Sequence, residues 1–223
     1  MEKILKGMAI LAIGILIVIA LIISKNIRII GDSKPSEYNG DWNLILVNSE
    51  NALPKNYDID LTLLSNGISV DSRIYPDLQK MFDDARAEGI YPIVGEGYRT
   101  HNEQKAMMRE KTAEFMADGY SMEEAQKLAA DLVAEPGKSE HELGIALDIN
   151  ADTSVSTNEE VYAWLADNAY KYGFILRYPQ GKEDITGIDY EPWHYRYVGI
   201  DAALEIYTQQ LTLEEYLNTI DLF

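Results

Sequence analysis

Apolar residues recur along this chain with two different periods. Leu78, Met81, Phe82 and Ala85 fall at helical spacing, and Gly89 lies where such a helix would end. A second helix is predicted from about residue 102 to 117, stopped by Gly119. Ser121 and Glu124 form a capping box, and the helix after it places Ala125, Leu128, Ala129, Leu132 and Val133 on one stripe before Glu135-Pro136-Gly137 closes it. Val161, Trp164 and Leu165 mark another helix with Gly173 at its end, and residues 211–217 read as a last short helix boxed by Thr212 and Glu215. Period-two alternation suggests strands elsewhere. Trp42, Leu44 and Leu46 share one face of residues 42–48, residues 90–99 read as a strand running into a loop, and residues 174–178 and 193–198 read as two more strands. Helices and strands are mixed without regular alternation, so an α+β fold is expected rather than a doubly wound sheet.

Residues 7–24 are 18 positions without a charge, flanked by charges on both sides, just long enough to span a bilayer as a helix. A core helix is rarely apolar on every face. The run exceeds a secretory h-region, and no clear Ala-x-Ala site follows it, which favours a retained anchor over a cleaved signal. Gly31–Asp41 is polar and contains Gly and Pro, as a tether would be. The expected organisation is a membrane segment at 1–30, a linker at 31–41 and a single domain at 42–223. Lys3 and Lys6 oppose Lys25 and Arg28 across the span, so the positive-inside count is nearly tied.

Composition narrows the chemistry. The chain has 223 residues, 47% of them apolar, and a formal charge of -18. Such an acidic body repels nucleic-acid phosphates. With no cysteine, disulfides, thiolate metal sites and a cysteine nucleophile are excluded. Oligomeric state is not legible.

The chemistry gathers around Ser139–Ile149, where His141 is followed seven residues later by Asp148, set between Leu147 and Ile149. A buried carboxylate must be paired or metal-bound. A lysine or arginine partner is one solution. The nearby histidine suggests another, since neutral imidazole and carboxylate are both zinc ligands. An interval of seven would send the two side chains to opposite faces of a regular strand, and Gly144 between them permits a bend that lets them converge. A catalytic zinc wants a third protein ligand and an open position. Among His101, His194 and the acids, His194 has a companion acid, Glu191, three residues earlier across Pro192. A non-ligating Glu beside the metal is the usual general base of metal-assisted hydrolysis.

These segments, Ser-x-His-x6-Asp and Glu-x-Trp-His with Gly97–Gln104 upstream, resemble the VanY-type D-alanyl-D-alanine carboxypeptidases, zinc peptidases grouped with VanX-type dipeptidases and L,D-carboxypeptidases. The likeness covers about residues 42–217. It implies a zinc ion held by His141, Asp148 and His194, Glu191 as general base and later proton donor, and Arg99 on the scissile carbonyl. Ser139 and Gln104 are implied at the substrate's terminal carboxylate. It also implies a small, mostly antiparallel central sheet surrounded by helices, shared with the hedgehog signalling domain. The implied activity is removal of the terminal D-alanine from peptidoglycan stem pentapeptides, outside the membrane, by a single-pass protein. An L,D-carboxypeptidase acting on tetrapeptides and a non-catalytic zinc-containing cell-wall binding module are the alternatives. Glu96, where a small residue is commoner in the family, and His101, two positions after Arg99, could adjust specificity; the plainer reading is a solvated loop acid and a surface histidine.

Overall fold

In the computed structural model, residues 42–220 are described. The expected anchor at 1–30 and linker at 31–41 lie outside the described residues. Among the described residues no helix is long and apolar enough to cross a membrane.

A hairpin of β1 (Leu61–Leu63) and β2 (Ser69–Asp71) comes first. It leads into α1 (Tyr75–Ala87) and β3 (Pro92–Glu96). Next come α2 (His101–Ala117), α3 (Met122–Ala130), β4 (Ala146–Ala151) and α4 (Asn158–Asn168). The chain continues through β5 (Phe174–Leu176), a single turn α5 (Glu183–Thr186), β6 (His194–Tyr197), α6 (Ile200–Gln209) and α7 (Leu213–Ile220). The four longer-range strands form one sheet in the order β3-β4-β6-β5, antiparallel throughout. This is the expected α+β architecture.

Alternation along the strands gives this sheet two chemically different faces. Leu147, Ile149, Phe174, Tyr195 and Tyr197 join the main apolar core with Leu78, Met81 and Phe82 of α1 and Val161, Trp164 and Leu165 of α4. The intervening positions, Asp148, His194 and Arg196, occupy the opposite face. Each fully buried large apolar side chain contributes roughly 1.5–3 kcal/mol, so the core face supplies the rigidity that the polar face needs.

The helix ends follow the sequence. Gly89 and Gly119 take positive φ after α1 and α2, and reciprocal capping boxes at Thr100/Glu103, Ser121/Glu124 and Thr157/Glu160 start α2, α3 and α4. Two expectations are corrected. Residues 42–48 are not a strand: Trp42–Leu44 form a 3-10 turn, and the rest pairs with no neighbouring strand and bends at Asn48. Its side chains divide between two cores, Ile45 and Val47 entering the main one while Leu44 and Leu46 pack on the cluster around Val198, Ala203, Ile206 and Leu213. In place of a neighbouring strand, the Arg196 guanidinium donates to the carbonyls of Asn43 and Ile45 at 3.1 and 2.8 Å. The stripe predicted for α3 is also too long, because the helix ends at Ala130 and Leu132 is 67% exposed. The chain turns away there, and the Ala134 carbonyl accepts a hydrogen bond from the Gln104 amide.

Candidate active site

Register brings the first two chemical groups together. Asp148 on β4 lies directly opposite His194 on β6, on the polar face of the sheet. His141 comes from a 3-10 turn, Glu140–Leu143, that ends at Gly144 with φ +70°. That left-handed residue breaks the strand pattern, so an odd interval of seven still delivers His141 to the face that carries Asp148. Asp148 Oδ1 is 3.0 Å from His194 Nδ1 and 3.6 Å from His141 Nε2. The two imidazoles stand nearly perpendicular, at 87°, with centroids 5.0 Å apart. One potential ligand atom from each of the three residues falls within 4.8 Å of the others.

The donor chemistry fits a cation. His141 Nδ1 donates to the Gly97 carbonyl at 2.9 Å, which leaves the lone pair on Nε2, facing Asp148. Gly97 itself is pressed against the hairpin: a Cβ there would meet the Ser69 carbonyl at 2.4 Å. Burial would raise the Asp148 carboxyl, but the two histidines beside it outweigh burial and hold it well below the usual carboxylate range. Burial would likewise lower His194, yet Asp148 and Glu140 push it up to about 9. Positive charge is therefore favoured at the point where the three residues meet. Two imidazoles, each neutral when it ligates a metal, and a carboxylate, all buried or half-buried, are a donor set suited to zinc.

The remaining expected residues surround this group. Glu191 stands outside the three-ligand set, with Oε2 3.7 Å from His194 Nδ1 and its side chain 30% exposed. It enters through a turn in which the His194 amide donates to the Glu191 carbonyl, at 3.2 Å. Burial raises its pKa, the neighbouring Asp148 adds to that, and the histidines oppose it. The Arg99 amide donates to the His141 carbonyl at 3.1 Å, so its backbone is tied to the ligand-bearing turn. Its guanidinium is held by Glu96 (Nε to Oε1, 2.8 Å) and by Gln104 (Nη1 to Oε1, 2.5 Å). Gln104 is fully buried, and its amide nitrogen donates to Ala134 at 2.6 Å, so both ends of that amide are engaged within the protein. Ser139, buried, immediately precedes the ligand turn.

His101 is on the surface as expected, its side chain 63% exposed, whereas Glu96 is more than a solvated acid. Glu96 grips Arg99, and His101 Nδ1 lies 3.0 Å from Glu142, whose other oxygen accepts from the Gly137 amide. A second group was not anticipated from the sequence. Glu140 is buried between Arg177 and Arg196, both with no exposed surface, and Tyr178 tilts over the His194 ring with centroids 4.9 Å apart. The pairing of "FILRY" with "WHYRYV" as adjacent antiparallel strands was the available signal, since each places an arginine beside the ligand strand.

Comparison with known proteins agrees with this geometry. Residues 67–200 match the family model described as VanY, D-alanyl-D-alanine carboxypeptidase. The chain is 58% identical over 179 residues to a D-alanyl-D-alanine carboxypeptidase of Enterococcus faecalis (strain ATCC 700802 / V583), covering 80% of this chain and 67% of that protein. A crystal structure of a mutant vancomycin-resistance D,D-pentapeptidase VanY from a VanB-type cassette, in complex with Zn(II), superposes with a TM-score of 0.75 at 57% identity. It covers 79% of this chain and 99% of that one. VanYB in complex with D-alanine-D-alanine gives a TM-score of 0.76 at 57% identity, with 80% and 99% coverage. On this fold, this donor set and these likenesses, the chain belongs to the VanY family of D-alanyl-D-alanine carboxypeptidases.

Proposed function

We propose that this chain is a zinc-dependent D,D-carboxypeptidase that removes the C-terminal D-alanine from peptidoglycan stem pentapeptides. The observation that carries the reading is the division of labour around β6: three residues converge as ligands, while Glu191 stands beside them with an elevated pKa and no ligand role. A binding module would have no use for a base there.

His141, Asp148 and His194 would hold the zinc, which when bound supplies a Lewis acid that polarises a carbonyl and acidifies water. Glu191 takes the proton from the attacking water and returns it to the departing amine of D-alanine. Burial raises its pKa, the direction that favours holding the proton before returning it. Arg99 donates to the scissile carbonyl oxygen as negative charge develops on it. Glu96 and Gln104 hold the guanidinium in place before substrate arrives, so little ordering is left to the reaction itself. Ser139 reads the terminal carboxylate. Gln104, expected beside it, also holds Arg99 through its Oε1, and its amide nitrogen has a second N–H beyond the one given to Ala134. The 18-residue apolar run supports a single-pass anchor at residues 1–30, with the catalytic domain on the outer side where stem peptides are found.

Product identification tests this. Zinc-loaded protein incubated with pentapeptide and tetrapeptide muropeptides should release D-alanine from the pentapeptide. Release from the tetrapeptide alone would mean an L,D-carboxypeptidase. Binding without release of any terminal residue would mean a non-catalytic module.

A further inference from the structure

Glu140 uses its two carboxylate oxygens differently. Oε1 accepts from Arg177 Nε at 2.9 Å and from Arg196 Nη1 at 2.8 Å. Oε2 has no hydrogen-bond partner, although it is buried, and it faces His194 Nε2 across 3.7 Å. His194 Nε2 is itself buried and unpartnered. Two complementary orphan atoms therefore face each other on the outer side of a metal-ligand ring. We propose that Glu140 is a positioning residue for the metal site: its Oε2 is the acceptor for the Nε2–H of His194, fixing the tautomer and ring orientation that present Nδ1 to the zinc. The inference rests on the metal reading of the site given above.

The arginines explain how a carboxylate is kept at that spot. Arg177 spends its two terminal nitrogens on Glu214, at 2.9 and 2.6 Å, and Arg196 spends Nη2 on the Asn43 and Ile45 carbonyls. Each guanidinium is thus anchored on its far side and offers one nitrogen to Oε1. Glu140 is clamped by one oxygen, and the other is left aimed at the imidazole. Buried ion clusters of this kind are often no more stabilising than apolar packing of equal volume. A role at the metal accounts for keeping one here. The two ligand histidines also differ in their outer partners, since His141 has a neutral carbonyl and His194 a carboxylate. A carboxylate partner raises ligand basicity more than a carbonyl does.

The test compares Glu140→Gln with Glu214→Gln in the full chain, reading zinc affinity by competition with a chromogenic chelator and the melting temperature of zinc-free protein. Glutamine keeps the size of Glu140 and can keep an oxygen on the arginines, but it turns an NH2 group towards the His194 N–H. Zinc affinity should fall by roughly 10–100-fold, the usual effect of losing an outer partner of a ligand. Glu214→Gln disturbs the same arginine without touching His194, so it should lower the melting temperature and leave zinc affinity unchanged. A Glu140→Gln protein that is less stable but binds zinc within twofold of wild type overturns the proposal and leaves Glu140 a structural hub. If that variant does not fold, the tautomer decides. Long-range 15N–1H spectra of wild-type zinc protein should show His194 protonated at Nε2 with slow exchange, and metal ligation through Nε2 would refute it. Wild-type protein that takes up no zinc in the same titration would fail the metal reading itself, a separate result from an unaffected variant.

Discussion

Gly144→Ala probes whether the turn between His141 and the strand bearing Asp148 must be left-handed. Two costs are legible at that position. At φ +70°, an alanine pays the left-handed penalty of roughly 1–2 kcal/mol. Its Cβ would also stand 2.3 Å from Ile59 Cδ1 and 3.3 Å from the Asp71 amide nitrogen. The isoleucine tip can move, but the amide cannot move freely, because it donates to the Gly144 carbonyl at 2.9 Å. Overpacking of this sort adds about 1 kcal/mol, at the low end of its range. The sum is about 2–3 kcal/mol, or roughly 5–10 °C in melting temperature for a domain of this size. Urea unfolding of zinc-free protein measures it. Gly119→Ala is the control, since Gly119 has φ +99° with open space around it and should lose only the backbone part. Zinc affinity separates the two further. The Gly144 amide donates to the His141 carbonyl, so a shifted turn moves a ligand, whereas the end of α2 touches none. If Gly144→Ala matched the control in stability and wild type in zinc affinity, the claim that this turn resolves the odd spacing would be wrong.

Other expectations follow from the same geometry. Glu191→Gln should keep zinc and fold while turnover drops by roughly 10²–10⁴, measured as D-alanine release; loss of zinc instead would make Glu191 a ligand. Arg99→Lys should lower kcat strongly, because a planar fork held by Glu96 and Gln104 is replaced by a point charge; an unchanged kcat would remove Arg99 from the oxyanion. Chelation should abolish turnover and lower the melting temperature, and added zinc should restore both; activity surviving in thoroughly metal-free protein would end the zinc assignment. Met81→Ala, fully buried on α1, should cost about 2–5 kcal/mol in urea unfolding without changing zinc affinity; a simultaneous loss of zinc binding would mean that the core face does more than support the site.

How much of this was legible depended on whether a residue's role was local. The α1 stripe and the capping boxes were readable because a helix declares its face and its ends within a few positions. The bend after His141 was readable for a similar reason: one glycine inside an odd interval requires it. Residues 42–48 misled because alternation reports only that side chains point two ways, not that a neighbouring strand exists; here both directions are apolar and Arg196 supplies the missing hydrogen bonds. Gln104 could be placed near the substrate end from its motif, but that both ends of its amide are engaged depends on Ala134, thirty residues away, and on where α3 stops. Glu140 was the hardest. It sits between two named residues, Ser139 and His141, and nothing local separates it from a solvated acid. Its burial follows from two arginines on β6 and just past β5, and those reach it only once β4, β6 and β5 lie side by side. A carboxylate whose partners come from other strands is visible only after the sheet has formed, and here the sheet sets both the ligands and the groups behind them.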